Sequence, residues 1–166
     1  MIESKIRPAR LTDATTLAEF NIRMAWETEQ RKLDPDRVRQ GVGALLNDPA
    51  KGTYFVAEVE SNGRTTLAGQ LLITYEWSDW RNGNFWWIQS VYVAEDFRAG
   101  GIFKALYNHV QALAKASKDA CGLRLYVDAD NSKARQAYHR LGMKPTNYEF
   151  FEVDFVLKDH ASPSPS

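Results

Sequence analysis

Phe97-Arg98-Ala99-Gly100-Gly101-Ile102-Phe103-Lys104-Ala105-Leu106 is the stretch on which the reading of this chain turns. An apolar run, Trp86-Trp87-Ile88-Gln89-Ser90-Val91-Tyr92-Val93, precedes it and reads as a buried strand. From Ile102 to Lys118 an amphipathic run reads as a helix. The paired glycines therefore stand where a strand ends and a helix begins. The first N–H groups of a helix have no partner within it, and the macrodipole places partial positive charge there. Glycine lets a bulky anion approach such donors closely. The stretch thus suits a phosphate cradle, with the charges of Arg98 and Lys104 beside it; it equally suits a plain tight turn. Neither G-x-x-x-x-G-K-[ST] nor G-x-G-x-x-G is present, which disfavours an NTPase loop and a dinucleotide fold.

Outward from this turn, Lys5–Ala9 reads as a short first strand and Ala14–Trp26 as a helix behind Thr12-Asp13. A second helix starts at Asp34-Pro35 and runs to about Asn47. Tyr54–Val59 and Leu67–Tyr75 form strands around a Ser61-Asn62-Gly63-Arg64 hairpin turn. Glu76 to Asn84 reads as an aromatic and charged connection leading into the fourth strand. After the glycine turn and its helix come a strand at Leu123–Val127, a helix over Lys133–Leu141 and a final strand or strands within Phe150–Leu157. A crossover helix after an antiparallel meander implies one parallel pair in a mixed sheet.

Composition bounds the function. The 166 residues suit one domain, expected over 1–158, with a flexible Ser/Pro-rich tail at 159–166. Zero formal net charge without a basic run argues against nucleic-acid binding. No stretch has transmembrane length and the N-terminus lacks a signal-peptide pattern, so a cytoplasmic, membrane-free protein is expected. The single cysteine, Cys121, excludes an internal disulfide, and no metal site is expected; His109 and His139 read as surface residues.

The element order and glycine turn resemble the GCN5-related N-acetyltransferase (GNAT) superfamily, whose members move acetyl from acetyl-coenzyme A to an amine. The family motif is Gln/Arg-x-x-Gly-x-Gly/Ala. Here Arg98 and Gly101 match, while Phe103 stands where the family usually has a small residue. A second block, Asn131-Ser132-Lys133-Ala134-Arg135-Gln136-Ala137-Tyr138-His139-Arg140-Leu141-Gly142-Met143, matches the family's Asn, Ala, Tyr and Gly offsets. The resemblance implies an α/β, α+β-type fold: a mixed, mostly antiparallel sheet of six to seven strands flanked by about four helices, splayed between strands four and five. It places acetyl-coenzyme A in that splay. The pantetheine would lie along the backbone of Val91, Tyr92 and Val93. Arg98, Ala99, Gly100, Gly101, Ile102, Phe103 and Lys104 would hold the diphosphate, and Asn131 the pantetheine arm. Tyr138, two helical turns after Asn131, would protonate the departing thiolate.

A lysine-like amine with pKa ~10.4 must lose a proton, at ~4–5 kcal/mol near pH 7. Histone-type members place a glutamate on the fourth strand, where this chain has Trp87. Glu27, Glu29, Glu76 and Asp79 are the substitute candidates for a base, with Glu29 preferred. Glu27, Glu29, Trp77, Asp79, Trp80 and Trp87 are the candidates for contacting a cationic acceptor. Trp86 and Trp87 should point to opposite faces of the sheet. The expected function is direct transfer of acetyl to a small-molecule amine in a ternary complex, with a homodimer as the family-like assembly. A catalytically silent acyl-coenzyme A sensor is the alternative.

Overall fold

The computed structural model describes residues 1–157, so the expected tail at 159–166 lies outside the described residues. Two compact units are present, one spanning Met1–Tyr126 and one beginning at Val127. In the first, β1 (Lys5–Pro8), α1 (Ala14–Glu29) and α2 (Pro35–Leu46) precede the meander β2 (Thr53–Ser61), β3 (Arg64–Ser78) and β4 (Gly83–Val93). Then come α3 (Ile102–Ala116) and β5 (Ala120–Arg124). The second unit contains α4 (Ser132–Arg140).

The strands lie in the order β1-β2-β3-β4-β5, antiparallel throughout except for the parallel β4–β5 pair. Asn62 and Gly63 close the β2–β3 hairpin with φ of 52° and 72°, the left-handed pair that a two-residue turn requires. Alternation along β2 divides the core. Tyr54 and Val56 join Leu17 and Ala18 of α1, Val42 of α2 and Leu72 of β3. Phe55 points the other way, its ring 5.4 Å from that of His109 on α3. One face of the sheet is thus covered by α1 and α2, the other by α3, whose buried stripe is Ile102, Leu106, Tyr107, Val110 and Ala114. His109 is half-buried by this contact rather than the surface residue its mid-helix position suggested.

A compact ionic knot fixes the start of the chain. Arg7 donates to Asp13 at 2.7 Å and to Glu58 at 2.6 Å, joining β1 to the entry of α1 and to β2. The hydrogen bond from Arg7 holds the Asp13 carboxyl below its usual range against the opposing effect of burial.

Four expectations need correction. Among the described residues the sheet has five strands, not six to seven. The predicted strand at 150–157 is irregular: the Asp154 carboxylate takes the amides of Val156 and Leu157 at 2.7 and 2.8 Å, a local turn that competes with ladder formation. The β3–β4 connection is also shorter than read. Glu76–Ser78 and Gly83–Asn84 are paired strand, leaving residues 79–82 as a tight turn. Finally, β5 begins at Ala120 and ends at Arg124, because the Asn84 amide bonds the Asp119 carbonyl at 2.7 Å and starts the pairing at the base of the hairpin.

Candidate active site

β4 has two unlike halves. Asn84–Trp87 pair with β3 on one edge and with Ala120–Arg124 of β5 on the other. The β4–β5 register stops at Trp87–Arg124. Immediately beyond, Leu72 faces Ser90 while Ile73 faces Ile88, so Gln89 is the extra residue of a bulge. A bulge bends its strand and sharpens the local twist, which turns β4 away from a parallel neighbour. Among the described residues, Ile88 to Val93 is laddered to β3 alone. The Ala94 amide donates to Ala68 of β3 at 2.9 Å. By alternation the backbone groups of Tyr92 turn towards β3, and those of Val91 and Val93 turn to the open edge.

The open edge leads into the glycine turn. Ala99 and Gly101 adopt left-handed backbone with φ of 61° and 88°. Gly101 is the N-cap of α3 and brings no side chain to cap it, which leaves the first-turn amides to an outside acceptor. Gly100 answers a different need. Its carbonyl accepts from the Ile2 amide at 2.8 Å, and a Cβ there would lie 2.3 Å from Ile2 Cδ1. The Phe103 ring lies one helical turn from Tyr107, with centroids 6.3 Å apart, and Lys104 is exposed in the first turn.

Arg98 reaches back to β4 and α1. Its Nε donates to the Val93 carbonyl at 3.0 Å and its Nη2 to Glu27 Oε2 at 2.5 Å. The Tyr92 hydroxyl donates to Glu27 Oε1 at 2.9 Å. Desolvation raises the Glu27 carboxyl, but the Tyr92 and Arg98 hydrogen bonds and the charges of Arg98 and Arg23 outweigh it and hold the group below its usual range. Burial, reinforced by this carboxylate, pushes the Tyr92 hydroxyl up. Two of the expected site residues, Glu27 and Arg98, are thus brought into one ion pair. Glu29 stands apart from them, 3.8 Å from Arg31 at the exposed end of α1.

A second network lies where the halves of β4 meet. Leu72, Thr74 and Glu76 alternate onto the α1–α2 face of β3, and Trp87 lies opposite Thr74 on that face. Glu76 accepts from Trp87 Nε1 at 2.6 Å and from Arg124 Nη1 at 2.5 Å. The Arg124 guanidinium sits 3.6 Å over the Phe85 ring. Gln89 joins in, donating to Thr74 Oγ1 at 2.8 Å and accepting from the Tyr126 hydroxyl at 3.4 Å. Trp86 takes the opposite face, its ring 6.0 Å from that of Tyr75. Trp77 turns by alternation to the face opposite Glu76 and Trp87, and Asp79 and Trp80 lie in the hairpin turn, with Trp77 61 % and Trp80 84 % exposed. Sequence reasoning named Trp87 and Glu76 but missed Arg124, Gln89, Thr74 and Tyr126. The β3–β4–β5 register that joins them follows from the bulge, and no residue motif announces it.

In the second unit, Asn131 caps α4, its side-chain oxygen accepting from the Ala134 amide at 3.0 Å. Tyr138 lies on the same helix, and burial pushes its hydroxyl up, which keeps it protonated at neutral pH. His139 is exposed. Among the described residues no cluster of His, Cys, Asp and Glu has the spacing of a metal site, and no helix is long and apolar enough to cross a membrane.

Several known proteins are similar to this chain. A crystal structure described as a possible acetyltransferase from Clostridium difficile 630 is 42 % identical, covering 93 % of this chain and 99 % of that one with a TM-score of 0.85. The mycothiol acetyltransferase of Corynebacterium aurimucosum is 31 % identical over 127 residues, 74 % of this chain, and the chain spans only 40 % of that relative's length. An aminoglycoside N-acetyltransferase solved with coenzyme A shares the fold at 15 % identity, with a TM-score of 0.72 over 93 % of this chain and 96 % of that one. The open half of β4, running into an uncapped helix behind a glycine turn, is accompanied by a match of residues 12–143 to the acetyltransferase (GNAT) family model, and the chain belongs to that family.

Proposed function

We propose that the protein transfers an acetyl group from acetyl-coenzyme A to the amine of a small molecule, by direct attack in a ternary complex. One observation carries this reading: the free edge of β4 from Ile88 to Val93, leading to first-turn amides of α3 that no side chain caps. These groups fit the cofactor. A pantetheine arm carries amides that can bond to an exposed strand edge as an added strand would. The diphosphate suits the helix N-terminus. Arg98 is engaged with Glu27 and Val93, so the full positive charge at the cradle falls chiefly to Lys104. The Val93 carbonyl is taken by Arg98, which leaves its amide and the backbone groups of Val91 for the arm.

Acetyl-coenzyme A, when bound, supplies an activated acyl carbon and a thiolate leaving group. Transfer would form a C–N bond and break the C–S bond; Tyr138 would hold the proton for the leaving sulfur and regain one from solvent, which takes the proton that the amine loses. A thiol with pKa ~8.5 leaves as thiolate at pH 7 at a cost of only ~2 kcal/mol, so Tyr138 contributes no more than about that. Two of the candidate bases, Glu27 and Glu76, are held by arginines. With these carboxylates engaged, we take the acceptor to enter as its free amine. Glu27 then serves as a positioning residue for Arg98 and Tyr92. The rate should therefore follow the acceptor: kcat/KM rises about tenfold per pH unit up to the pKa of the amine itself.

Calorimetric titration with coenzyme A, followed by thiol release from acetyl-coenzyme A across an amine panel, tests the reading. Binding with acceptor-dependent thiol release is expected. Tight binding with no release from any amine would mark an acyl-coenzyme A sensor.

A further inference from the structure

The charges on the acceptor side of the sheet distinguish between kinds of amine. A polycation needs a surplus of carboxylates. Beside the open half of β4 two acids already have an arginine: Glu27 with Arg98 at 2.5 Å and Glu76 with Arg124 at 2.5 Å. Arg23 adds a further positive charge that acts on both Glu27 and Tyr92. Glu29, at the end of α1, faces Arg31. Glu27 and Glu76 therefore offer no unmatched carboxylate to a cationic acceptor.

Arg124 is placed to meet an anionic group. It is the last residue of β5 to pair with β4, so it stands where the open half of β4 begins. If the diphosphate lies at the α3 end of that open edge, the acyl end of the arm lies towards Ile88 and Gln89, beside Arg124. The guanidinium is stacked on Phe85 and anchored through Nη1 to Glu76, so its plane is fixed before any ligand arrives. It is only 30 % exposed, which strengthens its pull on an anion. A planar fork of donors matches a carboxylate in a way that a lysine would not. Gln89, Thr74 and Tyr126 add neutral hydrogen-bonding groups alongside.

We infer that the acceptor is a small amine that also carries a carboxylate, an amino acid or a close derivative, and that Arg124 is the specificity-determining residue that binds its anionic group. This inference rests on the transferase reading above. Polycationic aminoglycosides and polyamines are selected against because Glu27 and Glu76 are already engaged by arginines.

The test is thiol release from acetyl-coenzyme A with matched probes: the proteinogenic amino acids as free acids and as carboxamides, together with kanamycin and spermidine. At least one free acid should exceed its carboxamide, and both polycations, by tenfold or more in kcat/KM. Arg124→Gln should bring the acid-to-amide ratio to within threefold, and Arg124→Glu should turn it in favour of the amide. Coenzyme A affinity measured by calorimetry should stay within twofold in both variants, which also reports that they are folded. Turnover of kanamycin or spermidine above every free acid, or an acid-to-amide ratio that Arg124→Gln leaves unmoved, would overturn the inference while the transferase stands. Coenzyme A binding without thiol release from any probe would overturn the transferase reading and this inference with it.

Discussion

The two halves of β4 are built from similar residues and do different work. Asn84–Trp87 is held on both edges, and its Phe85 is buried with Gly122 pressed against the ring: a Cβ on Gly122 would lie 2.8 Å from Phe85 Cε1. Ile88–Val93 keeps one edge open and is held by β3 and by side-chain anchors, Tyr92 to Glu27 and Arg98 to the Val93 carbonyl. Side-chain packing in the closed half contributes stability. Backbone in the open half is kept for a ligand. One bulged residue, Gln89, separates the two.

Substitutions should divide along that line. The largest effect is expected in the closed half, where Phe85→Ala removes a buried ring and should cost about 3–5 kcal/mol. Calorimetric melting should show a fall in Tm of roughly 10 °C, at ~2–4 °C per kcal/mol for a chain of this size. Coenzyme A affinity should change little once the variant is folded. Next comes the open half. Gly101→Val places a branched side chain at a positive φ and at the mouth of the cradle, and should weaken coenzyme A at least about a hundredfold, or ~2.7 kcal/mol. A Gly101→Val protein that binds as tightly as the parent would remove the cradle from the account. Tyr138→Phe sharpens the comparison on the side of chemistry: kcat should fall roughly ten- to a hundredfold at unchanged cofactor affinity, and an unchanged kcat would remove its role as acid.

The smallest effect concerns the anchors. Because the Glu27 carboxyl lies below its usual value in the folded protein, its pairing contributes stability above the unfolded pKa of ~4.3 and loses it as pH falls through the lowered folded value. The pair is about two-fifths exposed on each side, so solvent screening limits this to under about 1 kcal/mol. In Glu27→Gln the acid limb of a Tm-against-pH curve should be shallower below about pH 4. Coenzyme A affinity should drop three- to tenfold as Arg98 and the glycine turn lose their tether. The Arg7–Asp13–Glu58 knot offers a contrast. It is far more buried, and Arg7→Met strands two carboxylates, which should cost about 3 kcal/mol or more without touching cofactor binding.

Much of the fold was legible because local patterns carried it. The Asn62-Gly63 turn, the Asp34-Pro35 helix start and the apolar stripe of α3 each follow from residues within a few positions of one another. The final predicted strand failed for the same reason in reverse. Phe150 to Leu157 has the apolar content of a strand, yet a strand also needs a neighbour, and Asp154 offers the backbone a nearer partner. In the candidate site, the glycine turn and the Asn131–Tyr138 helix could be read directly. The engagement of Arg98 with Glu27, 71 residues away, could not.

The sequence by itself determined the order of elements from β1 to α4 and the glycine entry to α3, since each rests on short-range periodicity and spacing, and its two motif blocks carried the resemblance to the family. Only the tertiary structure decided that β4 opens at Gln89, that Glu27 and Glu76 are already matched by arginines, and that Arg124 stands at the opening. Those outcomes depend on strand register and on charges brought together across 48 to 71 positions of chain, and register is a property of paired strands that no single strand contains.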